Sequence, residues 1–246
     1  MALFQPQFSL VTGAIVAAEA LSRWIHPRFG LIGPAEFIPI AERLGLMNGI
    51  GEVMLQLGCR AARDWQTRGH EIEVAVNVSI RQLGSRKIVD TITRLLDDLS
   101  LCPRLLTLEV TESTPLAEVP EAADTLHSLS GLGVNISVDD FGAAYASREQ
   151  VIALPATELK IDQALVQEPE GDENARLTRA VEFGKARGMR LVAEGIETAE
   201  QLERVRALAC DRGQGYLLSR PKTKAGLDHM LVSASHVEPE PYDPEP

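Results

Sequence analysis

Short apolar runs alternate with longer amphipathic segments along most of the chain, and this alternation constrains the fold more than any other feature. The runs are rich in Val, Ile and Leu, as are parallel strands buried on both faces. The segments between them carry apolar residues at helical spacing, which is typical of repeated strand–helix units. Eight runs are predicted to be strands: Phe4–Phe8, Ile15–Leu21, Glu73–Asn77, Leu105–Glu109, Val134–Asp139, Glu158–Ile161, Arg190–Glu194 and Cys210–Gln214.

The number of strands and the length of the chain together favour one α/β domain, a (β/α)8 TIM barrel. Such a barrel typically needs about 250 residues, and this chain has 246. We therefore assign residues 1–233 to one barrel domain. Residues 234–246 are acidic and rich in proline. They are predicted to form a disordered tail, because such a composition supports neither a helix nor a central strand.

Charge and composition exclude several classes of function. The net charge of −11 argues against binding to long nucleic acid, which requires a basic face. No apolar run reaches the length of a transmembrane helix, and the N-terminus lacks the pattern of a secretory signal. The three cysteines are odd in number and widely spaced, which is typical of a reducing compartment. We expect a cytoplasmic protein without a membrane span.

Polar or charged residues occur at the end of seven of the eight apolar runs. In a barrel the carboxyl ends of the strands meet at one mouth, where active sites lie. Burying one such group without a partner costs about a few kcal/mol, so seven unrelated occurrences at the same end are improbable. The residues predicted to share this mouth are Glu19, Asn77, Glu109, Asp139, Asp140, Lys160 and Glu194.

Five carboxylates in one pocket predict a site for divalent metal ions. Carboxylates that close cannot all be ionised without cations, and hard oxygen ligands suit Mg²⁺ or Mn²⁺. Two ions about 3.5–4 Å apart can activate water and stabilise the leaving oxygen of a phosphodiester. Asp139 and Asp140 can bridge such a pair. Lys160 can hold the attacking water or offset charge on the phosphate.

Each of these residues also has a purely structural interpretation. Glu19 and Lys160 can be interior ion-pair partners, and Asn77 and Glu109 can satisfy the amides of loops. The two aspartates can cap a turn. The joint pattern favours the metal site, but spacing alone does not identify the phosphodiester.

At these residues the sequence resembles the EAL-domain family, the cyclic di-GMP phosphodiesterases. The name-giving triplet is Glu19-Ala20-Leu21, in a run that continues to Pro34–Glu42. The matches cover roughly residues 4–222 in the family's order and spacing. The other matching motifs are Val76–Ser79, Glu109–Ser113, Asp139–Gly142, Leu159–Asp162, Ala193–Thr198 and Gln214–Tyr216.

The resemblance implies a modified barrel whose first strand is antiparallel, and hydrolysis of cyclic di-GMP to linear pGpG with two Mg²⁺ or Mn²⁺ ions per site. Glu19, Asn77, Glu109 and Asp139 match the ligands of the first ion, and Asp139 and Asp140 match those of the second. Glu194 matches a residue that is either a second-metal ligand or the general base, and Lys160 matches the water-orienting lysine. Glu197 and Gln214 match further polar residues of the site, Arg23 a phosphate-binding arginine, and Gln5 and Leu21 contacts to the nucleotide.

The resemblance also implies partners: a second copy of the chain in a homodimer, and an upstream sensory or GGDEF-type domain outside this chain. One segment departs from the family pattern. The loop that usually reads DFGTGYSS has Ala143, Ala144 and Ala146 here, although its usual anchor, Glu112, is retained.

Three functions are open for this sequence. Loss of two hydroxyls and of a glycine predicts a looser second-metal site, which favours a receptor that binds the dinucleotide without cutting it. The retained ligand set favours an active phosphodiesterase. A barrel enzyme for another phosphodiester is the third alternative.

Overall fold

The computed structural model describes residues 1–111, 119–142, 148–168 and 174–234. The strands are β1 (Ala2–Ser9), β2 (Ile15–Ser22), β3 (Trp24–His26), β4 (Gly30–Ile32), β5 (Glu73–Val78), β6 (Leu106–Thr111), β7 (Asn135–Phe141), β8 (Glu158–Ile161), β9 (Arg190–Ala193) and β10 (Arg212–Gly213). The helices are α1 (Pro34–Arg43), α2 (Met47–Thr67), α3 (Ile80–Leu83), α4 (Lys87–Leu99), α5 (Glu121–Gly131), α6 (Arg148–Ala153), α7 (Gln163–Gln167), α8 (Asn174–Ala186), α9 (Ala199–Ala207) and α10 (Lys224–Ala234).

Eight of the strands close into a barrel in the order β1–β10–β9–β8–β7–β6–β5–β2. β1 runs antiparallel to both of its neighbours, and the other pairs in the barrel are parallel. The predicted modified barrel with an antiparallel first strand is therefore confirmed, and each predicted strand lies within about two residues of an observed one. The sequence analysis did not predict the separate hairpin of β3 and β4.

Alternation along the strands separates an apolar outer face from a polar interior. On β5, Val74 and Val76 face α2, where Gly58 packs so closely that a Cβ at this position would lie 2.9 Å from both valines. Asn77 of the same strand points the other way, into the mouth of the barrel. The hydrophobic core therefore lies between the barrel and the helices, and the interior of the barrel is left to polar groups.

An ion cluster closes the amino-terminal mouth, opposite the predicted site. Its four members are the first residues of β5, β8, β9 and β10. Arg190 lies 2.7 Å from Glu73 and 2.6 Å from Glu158, and Arg212 lies 2.6 Å from Glu73 and 3.5 Å from Glu158. Glu158 and Arg212 are buried, so these charges depend on one another for stability.

The predicted tail lies outside the described residues from residue 235 onward, so its disorder stays a prediction. Among the residues that the structure describes, no helix combines the length and the apolarity needed to cross a bilayer.

We expect Glu158→Ala to lower the free energy of unfolding by about 3–5 kcal/mol, because it removes one of the two carboxylates that neutralise Arg190 and the buried Arg212. Urea unfolding followed by circular dichroism measures the loss. The control is Glu203→Ala, which breaks the exposed 3.0 Å pair with Arg206 and should cost less than about 1 kcal/mol. Equal losses in the two variants would show that the cluster does not stabilise the barrel.

Candidate active site

The carboxyl ends of the strands place a buried lysine among four acids. Lys160 of β8 is 1% exposed, and desolvating a lone ammonium to this degree would be prohibitive without counter-charges. The partners come from β2, β6, β7 and the residue that follows β9. The Nζ of Lys160 lies 2.9 Å from Glu109 Oε1, 3.0 Å from Asp139 Oδ1, 2.9 Å from Glu194 Oε1 and 3.5 Å from Glu19 Oε2.

Two side-chain amides orient these carboxylates. Asn77 Nδ2 donates to Glu19 Oε1 at 2.9 Å and to Glu109 Oε2 at 3.2 Å. Gln214 Nε2 donates to Glu19 Oε2 at 2.7 Å. Asn77 lies on β5, which pairs with β2, and Gln214 directly follows β10, which pairs with β1. The two hydrogen bonds to Glu19 therefore link side chains from both sides of the β1–β2 pair.

A β-bulge brings adjacent aspartates to the same site. Strand alternation would send Asp139 and Asp140 to opposite faces, but the β7–β8 register shifts between Val138 and Phe141. Asp140 has the left-handed φ of 58°, and its N–H donates to Asp139 Oδ1 at 3.0 Å. As a result, ligand atoms of Asp139, Asp140 and Glu194 all lie within 4.8 Å of one another. Bulges and positive φ values at non-glycine residues recur beside active sites.

The cluster holds more acidic groups than its one ammonium group, that of Lys160, can neutralise. Burial raises the pKa of Glu109 and of Glu194 well above the ordinary value, and the Lys160 charge offsets only part of this effect. Burial also opposes the charge of Lys160, but its four acidic neighbours raise the pKa well above the ordinary value. The lysine is therefore charged, and it neutralises only one of the five carboxylates.

These residues fit divalent metal ions. The donors are carboxylate and amide oxygens, which Mg²⁺ and Mn²⁺ prefer. One ammonium group against five carboxylates leaves negative charge uncompensated, and the trio of Asp139, Asp140 and Glu194 already converges on a small volume. In this geometry the Lys160 ammonium supplies part of the positive charge that ions would bring.

Of the remaining predicted residues, Gln5 and Leu21 lie beside the site, whereas Arg23 and Glu197 lie outside its ion pairs. Gln5 lies directly opposite Glu19 in the β1–β2 pairing, and Leu21 lines a cleft beside the site. Arg23 Nη1 donates to the Ser22 carbonyl at 2.8 Å. Neither Arg23 nor Glu197 joins the ion pairs that the described residues form around Lys160. Glu197 is exposed.

Glu112 and the loop 143–147 lie outside the described residues, so the loop-anchor interpretation stays a prediction.

The cleft beside the site has a volume of about 730 Å³ and reaches Asn77 at its inner end. Its lining comes largely from β2, α1, α2 and the β5–α3 turn, and includes Pro34, Met47, Ile50 and Arg81. The sequence analysis missed Met47, Ile50 and Arg81, because an apolar or basic residue on a helix gives no sign of facing a cleft rather than the core or solvent.

Comparison with known proteins is consistent with this geometry. The family described as EAL domain matches residues 2–221. The bifunctional diguanylate cyclase/cyclic di-GMP phosphodiesterase MucR of Pseudomonas aeruginosa is 41% identical over 221 residues, which are 89% of this chain and 32% of the relative. The cyclic di-GMP phosphodiesterase NbdA of the same organism is 36% identical over 231 residues, 93% of this chain and 30% of the relative. The chain thus spans about a third of the length of these relatives.

Solved structures give the same result. A structure described as the PaMucR phosphodiesterase in complex with c-di-GMP superposes with a TM-score of 0.86 at 40% identity, covering 92% of this chain and 93% of that one. The EAL domain of Mycobacterium smegmatis DcpA superposes with a TM-score of 0.81 at 28% identity, covering 95% of this chain and 97% of that one.

We expect Mn²⁺ to raise the melting temperature more at about pH 7.5 than at about pH 5. Burial and the charge of Asp139 raise the pKa of Asp140 from 3.8 to about 6. A raised folded-state pKa contributes stability below the unfolded value, and this contribution is lost as the pH rises through about 6. Metal-free protein should therefore lose stability across this window, and Mn²⁺ should restore it only where Asp140 is ionised.

Differential scanning fluorimetry at both pH values, with and without Mn²⁺, measures this effect. Asp140→Asn is the control, and the Mn²⁺-induced shift of its melting temperature should depend less on pH. An equal or larger Mn²⁺ shift at the lower pH would contradict the assignment.

Proposed function

The chain belongs to the EAL-domain family, and we propose that it hydrolyses cyclic di-GMP to linear pGpG with two divalent ions, Mg²⁺ or Mn²⁺. The observation that carries the proposal is the buried Lys160 among four carboxylates, beside a cleft that Asn77 lines. An oxygen-rich site with excess negative charge would repel a phosphodiester unless cations were bound. The relatives whose names include cyclic di-GMP phosphodiesterase support the choice of substrate.

The proposed roles are those that the family pattern implies for each matching residue. Glu19, Asn77, Glu109 and Asp139 would hold the first ion, and Asp139 with Asp140 the second. The ions, when bound, supply Lewis acidity toward the phosphate and an activated water. Lys160 would orient that water and offset charge on the phosphate.

Glu194 fits either of two roles. It lies in the trio that converges with Asp140, as a ligand must. Its raised pKa also suits a proton acceptor. Glu197 and Arg23 would act from outside the ion-pair cluster, and Gln5, Leu21 and Gln214 would face the nucleotide.

A second candidate function is favoured by one observation, the alanines at 143, 144 and 146. With a weakened second-metal site the chain would be a receptor that binds cyclic di-GMP without cutting it. Chromatography of products and calorimetric binding of the same nucleotide separate the two functions.

We expect purified chain to convert cyclic di-GMP to pGpG with Mn²⁺, to stop in EDTA and to recover when Mg²⁺ or Mn²⁺ is restored, because the carboxylates require cations. Glu19→Ala should abolish product, since it removes a proposed ligand that also holds Asn77 and Gln214. Turnover that persists in EDTA would rule out the two-metal reaction, and binding without product would establish the receptor.

We expect Lys160→Ala to lower kcat by at least about 100-fold at saturating Mn²⁺, the loss typical of one preorganised electrostatic group. The matched control is Lys87→Ala, which removes an exposed lysine paired with Glu52 at 2.8 Å and should leave kcat unchanged. Circular dichroism establishes that both variants fold. A folded Lys160→Ala enzyme with normal kcat would show that this lysine has no part in the reaction.

A further inference from the structure

We propose that α7 is a brace that sets the distance between Asp140 and Glu194. Its positioning residues are Gln167, on α7 itself, and Arg176 of α8, which pairs with Glu168 directly after α7. The inference rests on the proposed function, because it concerns the second-metal site of the same reaction. Asp140 and Glu194 stand at the ends of different strands, β7 and β9, with β8 between them. β8 pairs with both strands, and α7 is the segment that directly follows β8.

The first contact of the brace is to the segment after Asp140. Arg176 Nη2 donates to the carbonyl of Gly142 at 3.2 Å, and the same guanidinium pairs with Glu168, the residue that follows α7. Gly142 has a φ of +98°, and a Cβ here would lie 2.2 Å from Leu165 of α7. The backbone two residues beyond Asp140 is therefore pressed against α7, and Arg176 of α8 links its carbonyl to Glu168, the residue after α7.

The second contact is to the segment after Glu194. Gln167 Nε2 donates to the carbonyl of Gly195 at 2.8 Å. Gly195 has a φ of +63°, and a Cβ here would lie 2.3 Å from the Cβ of Gln163. Both ligand-bearing segments thus use a positive-φ glycine to admit the same short helix. The Gly195 carbonyl accepts directly from α7, and the Gly142 carbonyl accepts from Arg176, which pairs with Glu168 after α7.

The brace is itself anchored from outside the site. Arg204 of α9 donates through Nη1 to the Glu168 carbonyl at 2.8 Å and through Nη2 to the Val166 carbonyl. These bonds satisfy carbonyls that a helix end leaves without intrahelical partners. The carboxyl end of α7 therefore has a fixed position, from which Gln167 reaches one metal-binding segment and Glu168 holds the Arg176 that reaches the other.

We expect two classes of Mn²⁺ site, of which the weaker is the second-metal site. Loss of a brace residue should weaken Mn²⁺ binding selectively in this weaker class. Arg176→Met removes a charge-assisted link but keeps the aliphatic stem, and Gln167→Leu removes the amide donor at nearly constant volume. We expect each to raise the dissociation constant of the weaker Mn²⁺ class about tenfold, with the tighter class within about twofold. The tighter class rests on Glu19, Asn77 and Glu109, which α7 does not hold.

The test counts free Mn²⁺ by electron paramagnetic resonance during titration of metal-free protein, and it also records the Mn²⁺ concentration for half-maximal hydrolysis. Arg176→Lys should recover at least part of the affinity, because it keeps the charge. Arg206→Met is the matched control, since Arg206 pairs with Glu203 on the exposed face of α9. At saturating Mn²⁺ the KM for cyclic di-GMP should be unchanged.

Three results would overturn the brace: a single class of Mn²⁺ site in the wild-type chain, equal weakening of both classes, or no change in either variant. If the control Arg206→Met weakened Mn²⁺ binding to the same extent, the effect would be a general loss of stability, and this too would overturn the brace. The proposed function fails separately, when wild-type protein yields no pGpG. In that case the selective Mn²⁺ shift would still establish the brace.

Discussion

The ion pairs of Lys160 are the interaction on which the rest of the site depends. Its ammonium touches acids from four different strand ends, so it offsets repulsion that would otherwise oppose closing the barrel. A single cation cannot neutralise five carboxylates. Burial raises the pKa of Glu109 and of Glu194 well above the ordinary value, and the Lys160 charge offsets only part of this effect. The same imbalance gives the site its capacity for divalent ions.

A barrel with such a site cannot rely on its interior for stability. In the usual TIM barrel, bulky aliphatic side chains fill the inside in layers, whereas here small or polar residues such as Ala75, Thr107 and Ser137 occupy middle positions of the strands. The apolar core lies outside the barrel, beneath the helices. Charged clusters close the two mouths: the acids around Lys160 at one, and the Glu73–Arg190–Glu158–Arg212 cluster at the other.

Precision at the site comes from rigid elements around it. The proposed ligands stand toward the ends of five different strands, so their relative positions are set by strand pairing and by what packs on the loops. Asn77 and Gln214 align Glu19 by direct hydrogen bonds. For the ligands on β7 and directly after β9, Gln167 of α7 and Arg176 of α8 hold the neighbouring backbone. A cleft that Asn77 lines lies beside these ligands.

The sequence by itself determined the barrel and the membership of the site. Strand periodicity and the polar residues at the ends of seven of the eight apolar runs are local properties, and the parallel strands of a barrel bring their carboxyl ends to one mouth. Only the tertiary structure decided how Asp139 and Asp140 share one site, because strand alternation separates neighbours and only the bulge in the β7–β8 pairing reunites them. It also decided the cluster at the opposite mouth, the cleft lining and the contacts of Arg176 and Gln167. These link residues far apart in the chain, and no local pattern encodes which distant backbone carbonyl a side chain will reach.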